Sequence, residues 1–133
     1  MTPIVVDTSA VMAIVRAEPG ADWLSQHMQA SDRRLMSTGT ALELGLVLES
    51  GTRTLTALDA LRSLQIELTS FDDRQFELGL RAWRKFGGGR HPASLNFGDC
   101  FTYALAKVTG YPILCVGNDF AQADLATLTP PPT

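Results

Sequence analysis

Short apolar runs alternate with stretches of helical periodicity along this chain. The apolar runs predict strands at residues 4–6, 35–37, 66–68 and 113–116, with a small edge strand at 125–127. Apolar residues three or four positions apart predict helices at 10–16, 21–30, 40–50, 55–64, 73–86 and 97–109. Strands that alternate with helices form a parallel sheet covered on both faces, so the pattern predicts an α/β fold with right-handed crossovers.

The chain has 133 residues, enough for one domain with a sizeable core, which we assign to residues 1–129. Three consecutive prolines cannot continue regular structure, so residues 130–133 are expected to form a disordered tail. No apolar run reaches the ~18 residues of a membrane span, so none is expected. The first residues have no basic region that leads into a long apolar stretch, so they are not expected to act as a secretion signal. Cys100 and Cys115 lie in apolar stretches and are expected to be reduced thiols of a cytoplasmic protein.

Four acidic residues occupy comparable positions beside the predicted elements. Asp7 and Asp119 each follow the carboxyl end of an apolar strand. Glu43 and Asp99 fall in the predicted first turns of helices, and a helix that follows a strand begins at that same edge of the sheet. Sites in such sheets form beyond the carboxyl ends of the strands, so we expect the four carboxylates to converge there.

Glu43 and Asp99 also have explanations in local structure. Thr40 and Glu43 have the spacing of a capping box, in which the glutamate bonds back to the amide of the first residue. Asn96 can cap the helix whose first turn contains Asp99. Both explanations stay open beside the functional one.

Asp7 is harder to explain by local structure than the other acids. It could form an Asx-type turn, but Thr8 or Ser9 could cap the next helix equally well. For Asp119, a turn-and-cap role and a functional role stay equally open.

Carboxylates gathered at one edge repel each other, and a bound divalent cation relieves that repulsion. We therefore expect a Mg²⁺ site, with Mn²⁺ as a substitute. Replacing Asp7 by asparagine is expected to leave the fold intact or more stable, because it removes one repulsive charge.

The net charge of −3 argues against nucleic-acid binding through a broad basic face. Basic residues cluster in one segment of the sequence, at Arg81, Arg84, Lys85, Arg90 and His91. Two interpretations stay open: the cluster is a solvated helix end, or it is a strip that guides a phosphate backbone.

Several segments match one known pattern in order and spacing over nearly the whole chain. They are Val5-Val6-Asp7-Thr8-Ser9-Ala10, Thr40-Ala41-Leu42-Glu43-Leu44, Leu95-Asn96-Phe97-Gly98-Asp99-Cys100, Tyr103-Ala104-Leu105-Ala106 and Ile113-Leu114-Cys115-Val116-Gly117-Asn118-Asp119-Phe120. On these segments the chain resembles PIN-domain ribonucleases, specifically the VapC toxins of type II toxin–antitoxin pairs. The resemblance implies a three-layer α/β/α PIN-like fold with a short central parallel sheet of four to five strands.

The resemblance also implies a metal-dependent endoribonuclease, with Asp7 and Asp99 as the main Mg²⁺ ligands. Glu43 is expected as a further ligand, and Asp119 completes the negative pocket. All four acids are thus expected to be catalytic. An antitoxin from the neighbouring gene, similar to VapB, and a homodimer are implied as partners, in heterotetramers or larger assemblies.

Three further residues are expected to contact the RNA substrate. Ser9 and Asn96 are placed to orient phosphate or ligands, and Arg90 to contact phosphate. The RNA is expected to bind as an exposed loop or single strand, where base edges are accessible. The family often has Thr-Asp shortly after Asn-Asp-Phe, where this chain has Ala123-Asp124, which puts a role for that threonine in doubt.

Three other functions stay open from the sequence. A Mg²⁺-binding receiver-like signalling domain needs a lysine after a late strand, and residues 113–118 contain none. A dehalogenase-type phosphatase needs a second aspartate near Asp7, where the chain has Thr8-Ser9. A catalytically silent, antitoxin-binding PIN module is disfavoured because all four acids are present.

Overall fold

A computed structural model describes residues 2–51 and 55–132. In it, five short parallel strands form one sheet; they are β1 (Ile4–Val6), β2 (Arg34–Ser37), β3 (Glu67–Thr69), β4 (Ile113–Leu114) and β5 (Thr127–Leu128). Their order is β3-β2-β1-β4-β5, with Val5 of the central strand opposite Leu35 on one side and Ile113 on the other. The parallel sheet predicted from the sequence is confirmed.

The described residues contain six α-helices between and around the strands: α1 (Thr8–Val15), α2 (Ala21–Ala30), α3 (Thr38–Glu49), α4 (Ala57–Ser63), α5 (Asp73–Phe86) and α6 (Phe97–Thr109). A short 3₁₀ turn, Phe120–Gln122, follows β4. The first and last residues predicted for α2, α5 and α6 agree with those in the structure. The predicted start of α3 at residue 40 is wrong by two positions, because Ser37 caps the helix by accepting from the Gly39 amide at 3.2 Å.

The two faces of the sheet carry different helices, and the alternation of side chains along β1 shows this directly. Ile4 and Val6 point to a core formed with α1, α2, α3 and α4. Val5 points to the opposite core, formed with α5 and α6. All three side chains are at most 1% exposed. The architecture is therefore three-layered, α/β/α, as the resemblance implies.

Helix α6 crosses the second core and is anchored at both ends. Asn96 caps its start, and Gly110 ends it with a φ of 75°, a conformation that glycine adopts without steric cost. Leu105 of this helix is fully buried. The backbone of Cys100 packs closely against α5 at Gly79, because a Cβ added to Gly79 would lie 3.4 Å from the Cys100 carbonyl oxygen. This packing fixes the first turn of α6 against the sheet.

The strand order reverses direction at β1, because β2 lies on one side of it and β4 on the other. The amide of Asp7 donates to the Leu114 carbonyl at 3.1 Å, which joins the ends of these two strands. In open parallel sheets, sites form at this topological switch point. The fold thus places Asp7 at the switch point, where the sequence predicted that the site would form.

The C-terminal prolines are partly packed in this structure. Pro130 lies close to Gly20, where an added Cβ would be 2.9 Å from the Pro130 Cβ. Thr133, the last residue of the predicted tail, lies outside the described residues. The domain boundary at 129 and the disorder of the tail stay predictions.

None of the helices in the described residues has both the length and the apolar character that a membrane span requires.

The fold predicts opposite effects for two neighbouring glycines in the loop before α6. A Cβ at Gly87 would overlap the backbone carbonyl oxygen of Trp83, which cannot rotate away, whereas a Cβ at Gly88 would lie 3.6 Å from the nearest atom, Ser94 Oγ. We expect Gly87→Ala to lower the free energy of unfolding by ~1–3 kcal/mol through overpacking. The matched change Gly88→Ala is expected to be neutral or to stabilise by up to ~1 kcal/mol, because it restricts the unfolded chain. Urea denaturation of both variants measures the difference, and equal stabilities would contradict the described loop.

Candidate active site

Asp7 is the most buried of the four acids, with 6% of its surface exposed. Its Oδ2 accepts hydrogen bonds from the Ser9 hydroxyl at 2.7 Å and the Ser9 amide at 3.2 Å. Its Oδ1 accepts from the Thr102 hydroxyl at 2.7 Å. Asp7 is thus the N-cap of α1, so the local role left open by the sequence exists, but it uses only one of the two oxygens.

These hydrogen bonds change the expected effect of Asp7→Asn on stability. A carboxylate accepts on both oxygens, whereas an asparagine offers one oxygen and an NH₂ group that cannot accept. One of the present donors would face that NH₂ group. The earlier expectation of an unchanged or more stable fold considered repulsion alone and is replaced by an expected loss of stability.

Glu43 lies in the second turn of α3, not in the first turn as predicted, because the helix begins at Thr38. The capping-box explanation with Thr40 is therefore wrong. Instead, Glu43 Oε1 accepts from the Thr8 hydroxyl at 2.7 Å, next to Asp7. Its carboxylate also occupies the space where a side chain at Gly98 would lie. Glu43 is thereby held between the start of α1 and the start of α6.

Asp99 takes part in the capping box that the sequence offered as its local explanation. Its Oδ2 accepts from the Asn96 amide at 2.9 Å, and Asn96 Oδ1 accepts from the Asp99 amide at 2.9 Å. Burial nevertheless raises the pKa of the Asp99 carboxyl to about 6, against the opposing effect of the Asn96 amide. The charges of Asp7, Asp119 and Glu43 raise this pKa further. The capping role and the electrostatic contact with the other three acids therefore coexist.

Asp119 precedes the 3₁₀ turn after β4 and is exposed. Its side chain makes no capping hydrogen bond, so the cap explanation is not supported. Its charge acts on Asp99 and, together with those of Asp7 and Asp99, on the Cys115 thiol. Burial is the main cause that raises the pKa of Cys115, to about 12. The four predicted acids thus share one negatively charged rim at the carboxyl edge of the sheet.

Sequence reasoning missed the hydroxyl groups that hold these acids. Thr102 is fully buried one turn beyond Asp99, and Thr40 lies behind it with 3.2 Å between the two Oγ1 atoms. Thr8 was considered only as a helix cap. The available signal was a polar residue at position 102 within the largely apolar stretch 100–106 of α6, but its partner Asp7 is 95 residues away.

The three residues predicted to contact substrate lie in different settings. The hydroxyl of Ser9 is engaged between Asp7 and the Val116 amide, which donates to it at 3.0 Å. Asn96 uses its side-chain oxygen to cap α6. The guanidinium of Arg90 stacks over the Trp83 ring at 4.0 Å. Their contacts with RNA stay predictions.

Two further polar residues of the loops have structural roles. His91 Nδ1 accepts from the Ala93 amide at 3.0 Å and so holds the loop before α6. Asp124 accepts from the Tyr103 hydroxyl at 2.8 Å and pairs with Lys107 at 2.9 Å. It is a surface partner of α6, apart from the four acids.

The chemistry of the rim suits a hard divalent cation. Its donors are carboxylate oxygens, and no Lys or Arg within residues 2–51 and 55–132 forms an ion pair with any of the four acids. Within the same residues no three His, Cys, Asp or Glu side chains are arranged so that they could hold a metal ion. Mg²⁺, however, usually binds through one or two carboxylates and keeps several waters. The residues fit such a cation, and the ligand set Asp7, Glu43 and Asp99 stays a prediction.

Comparisons with known proteins agree on the family. The pattern of the PIN domain matches residues 4–125. The chain is 40% identical over 133 residues to ribonuclease VapC30 of Mycobacterium tuberculosis, covering 96% of this chain and 100% of that protein. It is 41% identical over 130 residues to a ribonuclease VapC of Mycolicibacterium smegmatis, covering 94% and 99%.

Two solved structures share the fold at low identity. VapC20 of Mycobacterium tuberculosis, described as a sarcin–ricin loop cleaving toxin, superposes with a TM-score of 0.72 at 17% identity, over 96% of this chain and 99% of that one. VapBC2 of Rickettsia felis, bound to a DNA fragment from its promoter, also gives 0.72, at 10% identity over 96% and 98%. Together with the identities to the curated relatives, these findings show that the chain belongs to the PIN domain family and, within it, to the VapC ribonucleases.

Proposed function

We propose that this protein is a Mg²⁺-dependent endoribonuclease that acts as the toxin of a toxin–antitoxin pair. The observation that carries the proposal is the rim formed by Asp7, Glu43, Asp99 and Asp119. Family membership supports RNA cleavage, and the uncompensated carboxylates support the need for a cation.

In this proposal, Asp7 and Asp99 would hold the cation, and Glu43 of α3 would support it. Asp119, which is exposed, adds negative charge to the rim. A divalent cation bound there would supply a water of lowered pKa and would neutralise charge that develops on the phosphodiester. Attack by water does not use the 2′-hydroxyl, so no 2′,3′-cyclic phosphate forms. In this proposal the bond from phosphorus to the 3′-oxygen breaks, and the products carry 5′-phosphate and 3′-hydroxyl ends.

In this proposal Arg90 contributes to RNA binding. Its guanidinium, stacked on Trp83, is a cation that can contact a phosphate. The structural neighbour VapC20 is described as a sarcin–ricin loop cleaving toxin. We extend this to an exposed loop of a structured RNA as the substrate class.

Two observations support the proposed protein partners: the complexes formed by proteins of the same fold, and the exposed apolar surface of this chain. Several structures with the same fold are VapBC toxin–antitoxin complexes. On this chain, Leu42 and Leu46 on α3 are 66% and 65% exposed, and Phe97 at the start of α6 is 79% exposed. Apolar side chains exposed in groups mark interaction surfaces. We assign these surfaces to a VapB-like antitoxin and to a second copy of the chain, in a cytoplasmic complex.

Replacing Asp7 tests whether the rim is catalytic. We expect Asp7→Asn to reduce cleavage of structured RNA by at least ~100-fold, because it removes the best-held carboxylate of the metal site. It should also destabilise the fold by ~1–3 kcal/mol, because a buried donor loses its acceptor. The control is Glu67→Gln, which alters an exposed carboxylate paired with Arg33 on the edge strand β3. Cleavage is measured with Mg²⁺ and with EDTA, and circular dichroism confirms folding. Full activity of pure Asp7→Asn protein would contradict the proposal.

The raised pKa of Asp99 predicts a pH-dependent stability. The folded state binds the Asp99 proton more tightly than the unfolded state, so the stabilisation is present below about pH 4 and is lost as the pH rises through about 6. The free energy of unfolding of Asp99→Asn relative to the natural protein should therefore increase by ~1–3 kcal/mol over this range.

The measurement is urea unfolding at a series of pH values in EDTA. Glu67→Gln serves again as the control, because Arg33 lowers the pKa of Glu67 and the dependence should have the opposite sign. A relative stability of Asp99→Asn that does not change with pH would show that Asp99 does not lie in a repulsive, partly buried setting.

A further inference from the structure

Thr102 links the helix that carries Asp99 to the carboxylate of Asp7. It lies one turn beyond Asp99 in α6, and its hydroxyl is 2.7 Å from Asp7 Oδ1. Behind it, at 3.2 Å, lies the hydroxyl of Thr40 from α3. Both threonines are fully buried. A buried hydroxyl is retained at little cost only when it is hydrogen-bonded. Thr102 is bonded to Asp7, and Thr40 is bonded to Thr102.

The direction of these hydrogen bonds follows from the charge of Asp7. An ionised carboxylate only accepts, so the single proton of the Thr102 hydroxyl is donated to Asp7 Oδ1. The contact between the two threonines must then be donated by Thr40. The resulting chain runs from Thr40 through Thr102 to Asp7, while Ser9 donates twice to the other oxygen of Asp7. Donors on both oxygens fix the plane of the carboxylate.

The same contact acts against the repulsion between Asp7 and Asp99. Residues three apart on a helix lie on the same side, so Thr102 and Asp99 approach the end of β1 together. The like charges of the two acids push α6 away from β1, and the Thr102 hydrogen bond draws it back. The spacing of the two carboxylates is therefore set in part by a residue that carries no charge.

We propose that Thr102 is a positioning residue that orients the Asp7 carboxylate relative to Asp99 and so sets the affinity of the rim for a divalent cation. This inference rests on the proposed function. Valine has the shape of threonine but no donor, so Thr102→Val removes the hydrogen bond while keeping the packing. Serine keeps the hydroxyl donor, so Thr102→Ser should leave the Asp7 carboxylate in the position that it has in the natural protein.

The test compares three variants with the natural protein. Mn²⁺ affinity is measured by titration with electron paramagnetic resonance detection, and kcat and KM are measured on RNA hairpins with exposed loops. Thr102→Val should weaken Mn²⁺ binding and lower kcat by about 10–100-fold with little change in KM, while Thr102→Ser stays within about threefold of the natural protein. Thr109→Val is the matched control, because it removes a hydroxyl from the same helix that donates to the Leu105 carbonyl at 2.8 Å and contacts none of the four acids. It should also stay within about threefold.

The outcomes separate this role from the proposed function. If the natural protein binds Mn²⁺ and cleaves RNA while Thr102→Val does both equally well, the positioning role is overturned and the proposed function stands. If Thr102→Ser is as impaired as Thr102→Val, the hydroxyl is not the cause and the role is also overturned. If the natural protein neither binds Mn²⁺ nor cleaves RNA, both proposals fail. Should Thr102→Val not fold, Thr102→Ala is measured against the same criteria.

Discussion

Four carboxylates that repel each other lie at the carboxyl end of the central strand, and the other groups of the site are arranged around that repulsion. Asp7, Glu43, Asp99 and Asp119 belong to four separate segments, and the pKa of Asp99 responds to the charges of the other three. Such an arrangement opposes folding unless hydrogen bonds and a counter-ion offset it. In this chain the described offset comes from short hydrogen bonds: Thr8 donates to Glu43, and Ser9 and Thr102 donate to Asp7.

The fold supplies the geometry for this arrangement with few residues. Strand β1 is central, and the sheet order reverses beside it. Asp7 directly follows β1 and caps α1, and Ser37 is the last residue of β2 and caps α3, so these two strands pass into helices without a loop. Glycine at position 98 lets the Glu43 carboxylate reach the start of α6. Backbone and side chains thus bring α1, α3 and α6 to one edge.

The sequence predicted the architecture and the four acids because both depend on local patterns. The period of apolar residues determines α5 and α6, whose bounds were predicted at both ends. Asp7 and Asp119 were found because each follows an apolar strand of the predicted sheet. Glu43 was placed in the wrong turn because Thr40 and Ser37 are both acceptable caps, and only the end of β2 decides between them. The role of Thr102 could not be predicted, because it depends on a contact with a residue 95 positions away. The same limit applies to the stacking of Arg90 on Trp83, which depends on the path of a loop.

Anomalous diffraction from crystals soaked in Mn²⁺ will show whether these carboxylates together bind a divalent cation. We expect one strong anomalous peak, or two, in contact with Asp7 and Asp99, on the side of the rim that faces Glu43. The peak should be lost in crystals of Asp99→Asn. Fully occupied Mn²⁺ elsewhere on the protein, with none at Asp7 and Asp99, would show that the rim is not a metal site.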